Sequence, residues 1–222
     1  MKILLAPSET KTDFCDHETI SKDSFIFPEM FEARMKVLKA FEEEIDPSIF
    51  QKMTAKAVMR YDGVAFDAIS YKSLDKNYQN YIDKNTIIFS NIFGPILAGD
   101  LVPNYTFKQG SKLSSINIEK HYNNTFSELL DEFCGNFVVD LRAGFYEKFY
   151  IPKIRTYTFK FYKNGKIVSH WAKFYRGIIA KEMAKNNILT ESELLNLQID
   201  KLSIRNLVVS KNKTIFECEI RD

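Results

Sequence analysis

Two cationic side chains, Lys173 and Arg176, lie three residues apart in a stretch of helical composition. Residues three apart on an α-helix share a face, so both cations can reach one anionic ligand. Gly177 and Ala180 fall on the same face, and the strip beside the cations therefore carries almost no side-chain bulk. A glycine inside a helix costs about 1 kcal/mol relative to alanine, so its presence needs a reason. Either the strip packs closely against another element or a phosphate-bearing ligand approaches it, and the two are compatible if the cations project from its rim.

The two cations belong to a basic segment, residues 142–185, which holds eleven Lys or Arg and only two acidic residues. The first fifty residues have the opposite balance, eleven acidic against six basic, while the whole chain has a net charge of +2. Such a distribution concentrates positive potential over one face without making the entire molecule cationic. The segment predicts an anion-binding surface that includes Arg142, Lys173, Arg176 and Lys181. The alternative is a solvated, lysine-rich surface without a specific ligand.

Ser8, Glu9 and Lys11 follow a short apolar run that is typical of a buried strand. Ligand contacts in α/β proteins are commonly placed at the carboxyl ends of strands. Together with the basic segment and Asp140, these residues resemble the mixed lining of an enzyme pocket. Such an enzyme would act on a small anionic or nucleotide-like substrate, with Glu9, Asp140 and Lys173 in acid–base roles. The simpler alternative is a surface ion pair between Glu9 and Lys11, which would contribute little stability.

The chain of 222 residues, 45% of them hydrophobic, is long enough to bury a sizeable core. It contains no low-complexity linker and no obvious internal repeat. Composition and capping residues predict four helices, over residues 28–44, 74–84, 119–134 and 171–186. Asp46 and Pro47 predict the start of a further helix, with Ile49, Phe50 and Met53 on its apolar face.

Thr86–Ser90 and Phe137–Leu141 are continuous apolar runs bounded by turn residues, which is typical of central strands in a covered sheet. Asn164 and Gly165 separate two alternating runs, and an Asn-Gly pair in that position favours a β-hairpin. The peripheral strands are predicted at residues 157–162, 166–170, 204–209 and 215–220. Helices and strands in this order indicate a mixed α/β (α+β) fold, with one compact domain, residues 1–222, in which helices flank a mixed sheet.

Cys15, Cys134 and Cys218 are odd in number and far apart, which argues against a disulfide framework and for a reducing, cytoplasmic location. The N-terminal apolar run is too short for a signal sequence or a membrane span, so no membrane partner is expected. A thiol peroxidase is disfavoured because Cys134 and Cys218 lie in apolar surroundings, where thiolates are unfavourable.

Residues 13–17 contain two Asp, one Cys and one His, but they crowd into one loop without a second ligand pair at a recognised spacing. His121 and His170 are isolated, and isolated histidines are more often structural residues than metal ligands. We therefore expect neither a metal ion nor another cofactor.

Five groups of residues, in the same order along the chain, resemble the YaaA family of peroxide-stress proteins. They are 6–11 (APSETK), 61–66 (YDGVAF), 89–94 (FSNIFG) followed by 100–105 (DLVPNY), 138–142 (VVDLR) with Tyr146, and 169–177 (SHWAKFYRG). These groups span nearly the whole sequence. The resemblance implies a single mixed α/β domain with a cationic cleft and a helix-hairpin-helix-like element. It further implies nucleic-acid binding and a role in limiting iron-driven oxidative damage to DNA.

In a hairpin of that kind, backbone N–H groups and nearby cations contact phosphate without reading bases. Residues 90–94 take its place here, with Asn91 in the position of one family glycine and Gly94 in that of the other. An Arg-Pro pair and a further arginine that the family usually has nearby are missing, and Lys108 and Lys112 are candidate substitutes. The alternative is a plain strand–turn–helix connection.

These features favour a protein that binds DNA, expected to be duplex, without strong sequence preference. Lys173 and Arg176 are the principal candidate phosphate contacts, with Ser8, Lys11 and Arg142 in support. The alternatives are the enzyme described above and an interaction adaptor that would use the acidic N-terminal region.

Aromatic residues also interleave with the bases of the segment, at Phe159, Phe161, Tyr162 and Trp171. Exposed rings in such a pattern stack the bases of single strands. Alternation along a strand, however, more often sends such rings into the core.

Overall fold

A computed structural model describes residues 1–169 and 171–221, which form ten strands and seven α-helices. The strands are β1 (Lys2–Leu5), β2 (Thr54–Lys56), β3 (Thr86–Ser90), β4 (Gly94–Leu97), β5 (Leu101–Pro103), β6 (Phe137–Leu141), β7 (Arg155–Lys163), β8 (Lys166–Ile167), β9 (Leu202–Ser210) and β10 (Lys213–Ile220). The α-helices are α1 (Phe31–Glu44), α2 (Ala57–Arg60), α3 (Val64–Ile69), α4 (Lys76–Asn85), α5 (Ile118–Cys134), α6 (Ala172–Lys185) and α7 (Glu191–Leu195).

Eight strands form one sheet in the order β4-β3-β1-β6-β7-β10-β9, and β8 pairs with the end of β7. Five neighbouring strands, β3, β1, β6, β7 and β10, run parallel to one another. Three strands pair antiparallel with members of this set: β4 with β3, β9 with β10, and β8 with β7. β2 and β5 form a separate antiparallel pair. A mixed sheet flanked by helices in one compact domain confirms the predicted fold class.

The two apolar runs predicted as central strands are β3 and β6, with the predicted bounds. Their side chains on both faces are buried, including Ile87, Ile88, Val138 and Val139. Parallel strands have this composition because connecting helices cover both faces of the sheet. The core of the domain therefore lies on both sides of the strands that border the crevice described next.

The sheet grows in two directions from β1. The chain crosses from β1 to β3 on one side and later returns to β6 on the other. The connections consequently diverge beyond the carboxyl ends of β1 and β6, and such a switch point leaves a crevice where α/β proteins bind ligands. Leu5 pairs with Leu141 at this end, so the residues that follow both strands border the same crevice.

Four predicted helices are confirmed as α1, α4, α5 and α6, with ends shifted by a few residues. The helix expected from Asp46 is instead a short 3-10 turn, Ile49–Gln51. The carboxylate of Asp46 accepts hydrogen bonds from the side chains of Ser48 and Lys52, which closes a local turn. Ile49 is buried as expected, but Met53 is exposed because the chain leaves the turn to enter β2.

The predicted hairpin between β7 and β8 is confirmed, but β8 covers only Lys166–Ile167 of the predicted residues 166–170, the last of which lies outside the described residues. Asn164 and Gly165 have φ angles of 52° and 74°, as a two-residue turn with two left-handed positions requires. The C-terminal strand pair is also present as β9 and β10. None of the described helices has the length and apolar character needed to cross a membrane.

The helix-hairpin-helix-like element is not found at residues 90–94, where an antiparallel β-hairpin turn joins β3 to β4. Asn91 is buried, and its Nδ2 donates to a backbone carbonyl over 3.0 Å. A Cβ at Gly94 would lie 2.6 Å from the ring of Tyr122. Ile92 and Phe93 in this turn are buried, so the turn lies in the protein core and its polar groups are not exposed to solvent.

Candidate functional site

A cavity of about 360 Å³ opens in the crevice at the carboxyl ends of β1 and β6. Its lining comes from residues 5–10 after β1, residues 63–66 at the start of α3, Gln109, Leu141, Ala143, Tyr146, Lys173 and Arg176. Ser8, Glu9, Lys173 and Arg176 are thus brought together, although the sequence separates them by about 160 residues.

A larger and more open depression, about 760 Å³, lies beside the start of α5. Lys112 is the one predicted anion-binding residue in its lining. We assign the candidate site to the smaller cavity because it lies at the switch point of the sheet and four predicted site residues line it, Ser8, Glu9, Lys173 and Arg176.

α6 reaches the cavity because Gly177 allows it to pack closely against α3. A side chain at Gly177 would clash with the carbonyl of Ala65, and its Cβ would lie 2.8 Å from that of Ala68. Close packing therefore explains the glycine. Lys173 and Arg176 project from the N-terminal part of this packing strip and line the cavity, so the packing surface and the cationic rim coexist.

Lys173 and Arg176 have different environments. Lys173 is exposed, whereas Arg176 is half-buried. Burial lowers the pKa of the Arg176 guanidinium, and the charge of Asp140 opposes that shift. Within residues 1–169 and 171–221, no hydrogen bond or ion pair holds the Arg176 side chain. Because a guanidinium has five N–H donors, Arg176 retains hydrogen-bonding capacity that suits an anionic ligand.

Arg142 and Asp140 instead form an internal pair at the end of β6. Nε and Nη2 of Arg142 donate to the two carboxylate oxygens of Asp140 over 2.9 and 2.8 Å, and Nη1 donates to the carbonyl of Tyr146 over 3.1 Å. Burial acts to raise the pKa of Asp140, but the charge and hydrogen bonds of Arg142 hold it below its usual value. The side chain of Arg142 is 1% exposed, so its donors are used within the protein.

Lys11 lies beside the cavity, over a cluster of tyrosines. Its ammonium is 4.1 Å from the ring centroid of Tyr105 and 5.6 Å from that of Tyr61, and it donates to the carbonyl of Glu9 over 3.1 Å. Burial lowers the pKa of Lys11 to about 8, while the charge of Glu9 opposes this shift and that of Arg60 reinforces it. Near-neutral titration makes Lys11 a candidate proton donor or acceptor at the edge of the site.

Ser8, Glu9 and Tyr146 supply the other polar groups of the cavity. Gly63 has a φ of 130°, and a Cβ there would lie 2.8 Å from the Ser8 hydroxyl, so glycine permits the close approach of these two walls. The exposed carboxylate of Glu9 accepts from the backbone N–H of Gln109 over 3.4 Å. Burial is the main cause that raises the pKa of Tyr146, which remains a neutral hydroxyl. Cations, a carboxylate and hydroxyls together can bind a phosphate and exchange protons with it.

Carboxylates from other parts of the chain interrupt the predicted basic surface. Besides Arg142, the bases of the segment that hold ion pairs include Lys153 with Asp131, Arg155 with Glu191, Lys160 with Glu217 and Lys185 with Glu182. Most of these acids lie outside residues 142–185. The charge of a sequence window therefore overstates the positive potential of the folded surface.

Several predicted contacts lie away from the cavity. Lys108 and Lys112 are exposed in the connection between β5 and α5, and Lys181 lies beyond the first turns of α6. Asn91 and Gly94 are buried in the turn between β3 and β4. The structure thus gathers some of the predicted anion contacts and disperses the others.

Gly63, Gln109 and Tyr146 line the cavity but were not predicted as site residues. Gly63 and Tyr146 belong to the groups that carry the family resemblance, which was the available signal. Gln109 has no local pattern to mark it, because its position depends on how the long connection between β5 and α5 folds.

The cysteines follow the expectation for two of the three positions. Cys134 and Cys218 are buried, and burial raises the pKa of each thiol to about 12. Cys15 is exposed. Thiolates at the two buried positions are strongly disfavoured at neutral pH.

The histidines have local partners where they are described. His17 Nδ1 lies 2.7 Å from the carboxylate of Asp16, and His121 Nε2 lies 2.8 Å from the carbonyl of Ala33. His170 lies outside the described residues. Among residues 1–169 and 171–221, no three His, Cys, Asp or Glu side chains are grouped as metal ligands.

Comparisons with known proteins identify the family of the chain. The family model described as peroxide stress protein YaaA matches residues 1–207. An uncharacterized protein of Campylobacter jejuni is 43% identical, over 93% of this chain and 96% of its own length. A UPF0246 protein of Corynebacterium glutamicum is 29% identical over 96% of each chain. The chain belongs to the family of the peroxide stress protein YaaA.

Proposed function

We propose that this chain is a cytoplasmic protein that binds DNA without strong sequence preference and thereby limits iron-driven oxidative damage during peroxide stress. Membership of a peroxide-stress family supports the physiological part of the proposal. The observation that carries the DNA-binding part is Arg176, a half-buried guanidinium in the cavity without a partner among the described residues. Phosphate oxygens suit this group because a guanidinium binds them through two parallel hydrogen bonds.

Lys173 supplies a second positive charge from the same helix, one turn before Arg176. Its exposed position lets it reach a phosphate at the cavity mouth, while Arg176 reaches deeper. Contacts of this kind neutralise the backbone and do not distinguish bases, so binding has little sequence preference. Because ion pairs occupy several other bases of the segment, we expect few phosphate contacts in total.

The test is a fluorescence titration of two unrelated DNA duplexes across a salt series. Affinity should fall linearly with salt on logarithmic axes, with a slope of about 0.9 per phosphate contact. Lys173→Gln combined with Arg176→Gln should weaken binding of both duplexes and reduce the slope by about two contacts.

Lys153→Gln combined with Lys185→Gln is the matched control. It removes the same charge from the same segment, but both lysines already pair with carboxylates, Asp131 and Glu182. The control should retain most of the affinity and the slope. Equal losses in the two double variants would assign binding to net charge alone, and absence of salt-dependent binding in the unmodified protein would refute the proposal.

A second candidate function is an enzyme that acts on a small anionic or nucleotide-like substrate. The size and lining of the cavity favour it, because about 360 Å³ suits a small ligand and Glu9 lines the cavity together with the cations. In that case Lys173→Gln alone would abolish the protection of cells against hydrogen peroxide while it changed duplex affinity little. A DNA-binding role predicts instead that protection and affinity decline together in the single and double variants.

A further inference from the structure

β9 is the outer strand at one end of the sheet and is exposed along most of its length. In the described part of the chain, β10 pairs with one side of β9 and no strand pairs with the other. Seven of its nine residues, 204–210, are exposed. An uncovered edge of this kind presents backbone N–H and C=O groups with which a further strand can pair.

Apolar side chains of β9 continue the core side of the sheet. Leu207 pairs with the buried Phe216 of β10, and Ile204 pairs with a second buried residue, Cys218. Because the side chains of paired residues point to the same face of a sheet, Ile204 and Leu207 lie on the core side. They are nevertheless 46% and 45% exposed, and Val209 on the same face is 71% exposed. The core therefore ends in an uncovered apolar strip, a feature that marks interaction sites.

Positive charge flanks this apolar strip. Residues 201–213, which are β9 and its neighbours on either side, contain four basic residues and no acidic residue. Nη1 of Arg205 donates to the carboxylate of Glu219 over 3.1 Å, so β10 neutralises that cation. Lys201 and Lys211, at the two ends of β9, are exposed and hold no ion pair in the described part of the chain. The strip thus has an uncompensated cation at each end.

The two end charges oppose pairing of β9 with a second copy of itself. When Leu202–Ser210 pairs antiparallel with its copy about the central residue, Asn206, Lys201 of each chain lies opposite Lys211 of the other. Like charges directly opposite each other destabilise a strand pair. An incoming strand with an acidic residue at each end would instead meet a cation at both ends, in either orientation.

We propose that the free edge of β9 is a docking site for an extended segment of a partner protein, with apolar side chains on one face and acidic residues at both ends. The segment adds a strand to the sheet, so backbone hydrogen bonds provide affinity and its apolar side chains cover Leu207 and Val209. At about 3.4 Å per residue β9 is about 30 Å long, so the acidic positions lie about ten residues apart. The site shares no residue with the cavity and does not rest on DNA binding.

Two synthetic peptides of the length of β9 test the proposal. Both alternate valine and threonine, but one has a pair of glutamates at each end and the other has a pair of lysines. Fluorescence anisotropy of the labelled peptides should show at least about tenfold tighter binding of the acidic peptide at low salt, and salt should reduce this difference by screening. Hydrogen–deuterium exchange at the amides of β9 should slow when the acidic peptide binds, because the added strand hydrogen-bonds to them.

Reversing the end charges should reverse the preference. Lys201→Glu combined with Lys211→Glu should bind the basic peptide at least about tenfold more tightly than the acidic one. Lys36→Glu combined with Lys39→Glu is the matched control, because it makes the same change of charge at two exposed lysines of α1. The control should keep the preference for the acidic peptide, and circular dichroism establishes that both variants are folded.

The apolar strip is tested by substitutions on the two faces of β9. Leu207→Thr combined with Val209→Thr removes apolar area from the core side and keeps residues that favour strands, so the acidic peptide should bind more weakly. Val208→Thr makes the same kind of change on the opposite face, where Val208 pairs with Ile215, and should leave binding nearly unchanged.

The other possible results overturn the proposal. Equal affinity for the two peptides, absence of binding at low salt, or slowed exchange only outside β9 contradicts it. Dimers that form with rising protein concentration in light scattering, and are lost in the protein with threonine at positions 207 and 209, would assign the edge to a second copy. Displacement of the acidic peptide by a DNA duplex would assign it to nucleic acid. DNA binding at the cavity stands or falls separately, by the duplex titrations of the cavity variants.

Discussion

Arg142, directly after β6, and Arg176, in α6, are both cations near Asp140, but their environments differ. Arg142 makes two hydrogen bonds with the carboxylate of Asp140, makes another with a backbone carbonyl, and lies 4.3 Å from the ring centroid of Phe89. Arg176 is half-buried and has no such partner among the described residues. The partners of an arginine therefore distinguish a structural cation from one that faces a ligand.

Replacing the two arginines one at a time should separate their roles most clearly. Arg142→Gln would leave Asp140 buried without its counter-ion, and loss of one partner of a buried pair costs about 3–5 kcal/mol. Arg176→Gln removes a charge that has no hydrogen-bond or ion-pair partner among the described residues and is already partly desolvated, so its effect on stability should be much smaller. Urea denaturation followed by circular dichroism measures both changes.

DNA affinity should show the reverse order. Arg176→Gln should lower it, whereas Arg142→Gln should leave it nearly unchanged under conditions where that variant is folded. A large loss of stability in the Arg176 variant would show that this side chain is also structural, and the comparison between the two regions would then fail.

Much of the fold could be predicted because local patterns and tertiary packing agree. β3 and β6 are apolar runs that need burial on both faces, and the turn at Asn164 and Gly165 needs two left-handed residues. The helix expected after Asp46 ends after one 3-10 turn because the chain becomes extended at Lys52 and enters β2, where Thr54 pairs with Pro103. Such a strand pairing overrides local helix propensity, and the sequence near Asp46 does not contain it.

The candidate site could be predicted only in part. Lys173 and Arg176 were marked by their spacing, and Ser8 and Glu9 by their position after a strand. The net charge of residues 142–185 overestimated the anion-binding surface, because carboxylates distant in sequence, such as Asp131, pair with its bases only after folding. Which donors are satisfied depends on the sheet order, and no local pattern contains that information.

The close contact between Gly177 of α6 and Ala65 of α3 should hold Lys173 and Arg176 at the cavity. Gly177→Ala places a methyl group against the carbonyl of Ala65, and the helix must shift away from α3 to accommodate it. Overpacking of this kind costs about 1–3 kcal/mol. The shift should also reduce DNA affinity, because Lys173 and Arg176 move with the helix.

Gly144→Ala is the matched control, since a Cβ at Gly144 would meet nothing within 4 Å. Its stability should change by less than about 0.5 kcal/mol. Thermal unfolding and duplex titration of both glycine variants provide the measurements. A Gly177→Ala protein with unchanged stability and affinity would show that the packing of α6 against α3 tolerates displacement, and close contact would no longer explain the glycine.

The smallest expected effect concerns Lys11, a third cation near the crevice. Its contacts are intermediate between the hydrogen-bonded pair of Arg142 and the environment of Arg176, which has no hydrogen bond among residues 1–169 and 171–221. Its ammonium donates to the carbonyl of Glu9 and lies over the ring of Tyr105. Burial lowers its pKa to about 8 from the usual value of 10.5, so the folded state releases this proton at lower pH than the unfolded state. Between these values the unfolded chain binds more protons, and the contribution of Lys11 to stability therefore rises with pH.

Amine-reactive labelling at a series of pH values, followed by mass spectrometry, measures this titration directly. Lys11 should reach half of its limiting reactivity near pH 8 in the folded protein and near pH 10.5 in urea. Glu9→Gln should move the folded midpoint lower, because the negative charge of Glu9 supports the protonated form. A folded midpoint equal to the value in urea would mean that Lys11 is solvated like a surface lysine. Lys11 would then no longer be a candidate proton donor or acceptor beside Glu9 and Lys173.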